Sequence, residues 1–255
     1  MPTIDLNADL GEGFGAWRMG DDPAMLRVVS SANIACGFHA GDPDIMTDCF
    51  ARAGQAGVAV GAHVSFPDLA GFGRRVISMS APQIERCIAY QLGAAQGVAA
   101  YAGHRIAFVK AHGALANLAE RDREIAEAIA RAVATVDSSL ILLAIALSEQ
   151  VAAGERANLR VAHEIFADRA YTRDGRLAPR AQKGAVLHET DKVIERSLRM
   201  LAEGGVITRG ERLLPTPIDS ICVHGDTPRA VEMAGGLRAA LEAAGWNIRA
   251  FSPPP

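Results

Sequence analysis

His39, His63, His112 and His224 each stand at the end of a short apolar run. Charged residues occupy similar places: Asp9 with Glu12, Lys110 beside His112, Glu164 with Asp168 and Arg169, and Asp226 beside His224. Imidazoles and carboxylates exchange protons near neutral pH, and a neighbouring lysine or arginine stabilises developing negative charge or a phosphoryl group. One histidine past one strand is ordinarily structural. Four of them at four strand ends argue for a shared acid–base site. His104, His163 and His188 lie away from such ends and are read as structural.

Several familiar centres are excluded by spacing. There is no G-x-S-x-G elbow and no G-x-x-x-x-G-K-[ST] loop. The turn G-E-G-F-G (11–15) falls short of G-x-G-x-x-G because Ala16 takes the last glycine's place, so a tight turn explains it as well as a phosphate cradle. No histidine pair has the H-x-H or H-x-x-x-H spacing of zinc hydrolases, which argues against a protein-bound metal. Ligands gathered one per strand could still hold a cation. Arg169, Arg173, Arg176, Arg180 and Lys183 make the stretch 167–189 cationic. That suits a solvated face, an anionic ligand or a partner subunit.

These residues need a frame that brings strand ends together. Apolar runs near 4–8, 32–36, 58–62, 106–109, 140–145, 159–166, 221–223 and 247–251 read as strands. Helical periodicity fills 43–54, the stretch opened by the Ser80/Gln83 capping box, 122–133, 194–201 and the stretch from the Thr227-Pro228 cap to Gly245. Asp42-Pro43 opens the first of these helices. Regular alternation of strand and helix favours one (β/α) barrel of seven or eight mostly parallel strands over 1–255, with a doubly wound open sheet as the rival. In a barrel the polar tips converge on one mouth. The segment 167–189 is long enough to be a functional loop or lid.

Composition limits the partners. The 255 residues are 49% hydrophobic with a net charge of -3, and no basic stripe suits a nucleic acid or an anionic membrane. The longest apolar run, Leu140 to Leu147, is far short of the ~20 residues of a membrane span. The N-terminal stretch has no signal-peptide pattern, and the four cysteines form no C-x-x-C pair, so buried, reduced cysteines in a soluble cytoplasmic protein are expected. A homo-oligomer is compatible with this composition.

The motifs D-L-N-A-D-L-G-E-G-F-G (5–15), S-A-N-I-A-C-G-F-H-A-G-D-P (31–43), G-A-H-V-S-F-P-D-L-A-G-F-G-R-R (61–75), F-A-D-R-A-Y-T-R-D-G-R-L-A-P-R (166–180) and C-V-H-G-D-T-P (222–228) closely resemble the LamB/YcsF family of bacterial ATP-dependent 5-oxoprolinase A subunits. The resemblance implies a barrel related to polysaccharide deacetylases and cleavage of 5-oxo-L-proline to L-glutamate with ATP hydrolysis. It also implies a complex with B and C subunits. Val64, Ala111 and Ala116 depart from the family pattern, which has proline, proline and tyrosine there. Altered tuning or substrate preference is expected from them before loss of activity.

An unstrained lactam is a poor electrophile, and phosphoryl transfer to its oxygen would make the ring carbon attackable. Lys110 and Arg169 could hold the phosphoryl group. Asp9, His39 and Asp226 are candidates for the base, and His63, His112 and His224 for the acid. Asn7, Glu12, Asn33, Arg74, Asp168 and Arg169 are candidates for binding substrate. ATP with Mg²⁺ is expected only together with the partner subunits, since no nucleotide motif is visible. The rival readings are a metal-dependent deacetylase-like barrel and a non-catalytic substrate-holding subunit.

Overall fold

The first strand sets the architecture. In β1 (Thr3–Leu10), Ile4, Leu6, Ala8 and Leu10 enter the main apolar core, while Asp5, Asn7 and Asp9 are buried on the opposite face. A strand buried on both faces belongs in a parallel sheet covered by helices. Parallel strands β2 (Ser31–Ala35), β3 (Ala59–Val64), β4 (Ile106–Ala111), β5 (Ile141–Ile145) and β6 (Val161–Phe166) follow in spatial order. β7 (Gly205–Ile207) and β8 (Leu213–Pro215) form a separate antiparallel hairpin. β9 (Ser220–Cys222) then pairs with both β6 and β1, which closes a seven-stranded parallel barrel rather than an open sheet. β10 (Asn247–Ile248) extends the barrel wall at the start of β1. The computed structural model describes residues 1–225 and 229–251.

Helices α1 (Asp22–Met25), α2 (Pro43–Ala56), α3 (Ala81–Tyr101), α4 (Gly113–Ala119), α5 (Arg123–Asp137), α6 (Glu149–Arg156), α7 (Thr190–Glu203) and α8 (Ala230–Ala243) accompany the strands. Asp42 caps α2 by accepting from the Asp44 and Ile45 amides, and Ser80 donates its amide to Gln83 Oε1 at the start of α3. Periodicity does not disclose α1, α4, α6 or the hairpin, each too short to show a full apolar stripe. The Thr227-Pro228 cap lies outside the described residues. β3 runs further than its apolar run suggests, because His63 and Val64 continue the ladder with Lys110 and Ala111.

The lumen is divided. At the lower end, Phe108, Ile141, Leu143 and Ala162 form a small apolar cluster. Phe108 occupies space that Gly61 leaves, since a Cβ there would lie 2.3 Å from its ring. Across from this cluster, Asp5 accepts hydrogen bonds from Ser30 and Ser31 at 2.7 Å and from Ser220. The four cysteines are free; Cys36, Cys49 and Cys222 are buried as expected, Cys87 is only half-buried, and Cys222 faces Lys110 in the lumen. Among the described residues no helix is long and apolar enough to cross a membrane.

Candidate active site

Alternate residues of β1 point one above another into the lumen, so Asp9 sits over Asn7 near the C-terminal end of the strands. Lys110, from β4, reaches across to Asp9 at 3.0 Å and to Glu164 of β6 at 2.8 Å. Asn7 donates to Glu164 (2.9 Å) and Ser220 (2.7 Å), and Asn33 donates to Asn7 (2.7 Å) and Asp9 (2.8 Å). The ammonium group thus sits between two carboxylates that are both buried. Burial alone would push the Asp9 carboxyl up, but the charges of His63 and Lys110 outweigh it and hold it well below the usual range. Burial opposes the charge on Lys110 too, and the carboxylates, Asp9 foremost, raise its pKa well above the ordinary value.

Beside this network three imidazoles gather on Glu12. Its Oε1 lies 3.1 Å from His39 Nε2, 3.4 Å from His112 Nδ1 and 3.9 Å from His63 Nε2. His63 Nε2 and His112 Nδ1 are 2.9 Å apart, and His63 Nε2 is also 3.3 Å from Asp9. His39 stacks on His112 with ring centroids 3.9 Å apart. Burial foremost, then the neighbouring imidazoles, pushes His39 and His112 well below the ordinary histidine value. Two glycine-rich turns make the cluster compact. Gly41 donates its amide to the Gly13 carbonyl at 2.7 Å, tying the His39 turn to the Glu12 turn. Gly73, at φ +64°, lies so close that a Cβ would approach His39, His112 and Ser65 to within 2.8 Å or less. Glu12, His39, His63 and His112 each offer one donor atom, all within 4.8 Å of one another, and could hold a metal ion.

The opposite wall carries a second acid–base pair. His224 Nδ1 donates to Asp168 at 2.8 Å, while its ring stacks on Phe166. Burial pushes the Asp168 carboxyl up, but the His224 charge and hydrogen bond hold it below the usual range. Between the walls lies a cavity of about 320 Å³, lined by Asp9, His63, Lys110, His112 and His224 and by Arg74, Arg169 and Arg180. Burial, with help from the Arg180 charge, lowers Arg169 to about 10.

Of the residues expected from sequence, Asp9, His63, Lys110, His112, His224, Arg74 and Arg169 line the cavity. His39 and Glu12 stand behind His63 and His112, Asp168 behind His224, and Asn7 and Asn33 form part of the network around Asp9 and Lys110. Asp226 lies outside the described residues. Sequence reasoning does not single out Glu164 as the second Lys110 carboxylate, nor Arg180 as a site residue. A charged residue inside a buried strand is the available signal for Glu164. Part of the cationic stretch 167–189 is a cavity wall, with Arg169, Leu177, Pro179, Arg180 and Ala181 in contact with the space, while Arg173 and Lys183 are exposed to solvent. Gly11 and Gly15 adopt positive φ, so the first turn is built for its bend. Val64 accepts the His112 amide at 2.8 Å, while Ala111 and Ala116 line the cavity directly.

A closed seven-stranded parallel barrel with charged side chains gathered at the C-terminal ends of its strands is a (β/α) barrel with its candidate site at the usual mouth. The chain belongs to the LamB/YcsF family, whose model matches residues 4–254. It is 56% identical to the A subunit of 5-oxoprolinase from Azorhizobium caulinodans, over 99% of this chain and 100% of that protein. It is 55% identical to the protein of the same name from Gluconobacter oxydans, covering 98% of each. The solved lactam utilization protein from Thermus thermophilus superposes with a TM-score of 0.92 at 42% identity, covering 98% of this chain and 100% of that one. The catalytic domain of a peptidoglycan N-acetylglucosamine deacetylase from Eubacterium rectale has a TM-score of 0.54 at 10% identity, over 99% of this chain and 90% of that one, which is a likeness of fold.

Proposed function

We propose that this chain is the lactam-opening component of a cytoplasmic 5-oxoprolinase, converting 5-oxo-L-proline to L-glutamate with ATP hydrolysis in complex with B and C subunits. The observation that carries the reading is the cationic cavity. Lys110, Arg74, Arg169 and Arg180 line it, and Asp9 is the one carboxylate among its described lining residues. Such a wall suits a small anion, here the substrate carboxylate or a phosphoryl group on the lactam oxygen. Near-full-length similarity to proteins named as the A component of 5-oxoprolinase supports it.

ATP with Mg²⁺, held with the partner subunits, would supply the phosphoryl group that turns the lactam oxygen into a leaving group. Water then adds to the activated ring carbon, and the carbon–nitrogen bond breaks as the nitrogen gains a proton. A second water releases phosphate from the resulting acyl phosphate. Asp9 is a weak base, because Lys110 and His63 hold it ionised. His224 is better placed: Asp168 fixes its Nδ1–H and leaves Nε2 to exchange a proton with water or the ring nitrogen. The arginines and Lys110 stabilise the phosphoryl oxygens.

Glutamate formation from 5-oxoproline, ATP and Mg²⁺ should appear only when the B and C subunits are added. Full activity of the lone chain refutes the dependence, and no glutamate from the complete mixture refutes the function. His224→Ala should lower the rate of the complex by ~10²–10⁴-fold. An unchanged rate would reduce His224 to a structural residue.

A further inference from the structure

The histidine–glutamate cluster poses an electrostatic problem that the lactam reading does not use. His63 Nδ1 faces the Lys110 carbonyl at 3.3 Å, and His112 Nε2 faces the Phe72 carbonyl at 2.9 Å. A carbonyl only accepts, so each of these nitrogens carries the ring's proton. Unless a ring takes up a second proton, the other nitrogens, His63 Nε2 and His112 Nδ1, are bare, and they point at each other across 2.9 Å. Glu12 Oε1 adds a third electron-rich atom at 3.4 and 3.9 Å, and His39 Nε2 reaches the same oxygen at 3.1 Å. His39 Nδ1 is buried and has no hydrogen-bond partner among the described residues, so this ring is oriented by the centre and by its stack on His112. Lone pairs converging in a buried place are costly without a proton or a metal ion between them.

We propose that Glu12, His39, His63 and His112 together bind one divalent transition-metal ion of the zinc class. Three imidazoles and one carboxylate are a borderline-soft set that favours such ions over Mg²⁺. Bonds of ~2.0–2.1 Å in a tetrahedron place donor atoms ~3.3 Å apart. Four of the six separations, 2.9, 3.1, 3.4 and 3.9 Å, bracket that spacing, and all six lie within 4.8 Å. The carbonyls behind His63 and His112 are the partners that ordinarily fix the tautomer of a metal-binding histidine. The ligands come from four successive strand-to-helix connections or strand ends, which is why no sequence pair betrays them. His63 and His112 also line the cavity, so the ion would belong to its wall. A proton shared between His63 and His112 would relieve the same repulsion, and the experiment separates the two.

The full-length chain, stripped with a chelator and dialysed, is equilibrated with Zn²⁺, Co²⁺ or Mg²⁺ and freed of excess ion for elemental analysis. The expected result is about one Zn²⁺ per chain, no retained Mg²⁺, and a visible Co²⁺ spectrum of a nitrogen–oxygen site. His39→Gln and Glu12→Gln, each checked for its melting transition, should weaken Zn²⁺ by at least ~100-fold. A wild-type chain that retains no Zn²⁺ overturns the site and leaves the shared proton. Undiminished Zn²⁺ binding by both folded variants overturns it too, because the ion then lies elsewhere. The wild-type measurement stands if a variant fails to fold. Since the readout involves no substrate, its failure leaves the lactam reading intact.

Discussion

Asp5 and Asp9 lie on the same strand, four residues apart, and face the same lumen, yet their environments push them in opposite directions. Burial, only partly offset by the hydroxyls of Ser220, Ser30 and Ser31, raises the Asp5 carboxyl to about 6. Burial acts on Asp9 as well, but His63 and Lys110 overcome it and hold the carboxyl well below its ordinary value. Neutral donors soften the cost of a buried charge, whereas a cation at 3.0 Å reverses its sign. The lower level of the barrel is therefore built to tolerate a carboxyl, and the upper level to keep one ionised.

Removing the cation is the severest way to break this contrast. Lys110→Met leaves Asp9 and Glu164 facing each other's neighbourhood without a counter-charge. Deleting one member of a buried ion network costs about 3–5 kcal/mol, and it should also abolish glutamate formation by the complex. Urea denaturation and the coupled assay measure the two effects. A loss below about 1 kcal/mol would mean that Lys110 does not hold the upper level together.

Asp5→Asn removes the lower carboxyl, and here the sign of the pH dependence is informative. The folded pKa of Asp5 is about 6, above the ordinary 3.8, so the folded state binds the proton more tightly. The stability it contributes is complete below about pH 4 and is lost as pH rises toward about 6, a fall of about 3 kcal/mol. Asp9 has the opposite sign: its contribution is present above the ordinary value and is lost as pH falls through the lower folded one. Unfolding free energy measured from pH 4 to pH 7 should decline less steeply in Asp5→Asn than in the wild type. Parallel curves would show that Asp5 titrates normally.

The same contrast marks what the sequence could disclose. Alternation of Ile4, Leu6 and Ala8 with Asp5, Asn7 and Asp9 identifies a strand, but it does not say which face is the lumen. In an isolated sheet the apolar side would be the buried one; in a barrel both are, because helices cover the outside. Counting strand ends favours a barrel and, given a barrel, the convergence of His63, Lys110, His112 and His224 on one mouth, but closure itself is seen only in the pairing of β9 with β6 and β1. Counting reaches Glu164 as well, but not its pairing with Lys110, a partner from a different strand. The Glu12–histidine cluster is hidden because its members are brought together by Gly41, Gly73 and the register of the barrel, not by spacing along the chain.

The upper level is also clamped from outside, at Gly73. Gly73→Ala places a side chain at φ +64°, and its Cβ would meet Ser65, His112 and His39. The strained backbone and the crowding together should cost about 2 kcal/mol, with a matching loss in glutamate formation because the imidazoles move. If stability falls while the rate per folded chain does not, the loop serves the fold and not the site.

Ser220→Ala is the mildest test and the sharpest for the lower level. Ser220 donates to Asp5 and accepts from Asn7 at 2.7 Å, so among the described residues its hydroxyl joins the two levels. Its removal should cost about 1 kcal/mol. Of the three hydroxyls it does most to restrain Asp5, so the carboxyl should titrate above its wild-type value of about 6. A carboxyl titration followed by NMR measures this directly. An upward move of Asp5 with no change at Asp9 would show that each level is governed by its own nearest partners. A simultaneous rise at Asp9 would mean that Asn7, which accepts from Asn33 and donates to Ser220, carries the change between them. The strong Lys110 contact predicts the first outcome, because a hydroxyl at the level of Asp5 cannot compete with an ammonium at 3.0 Å.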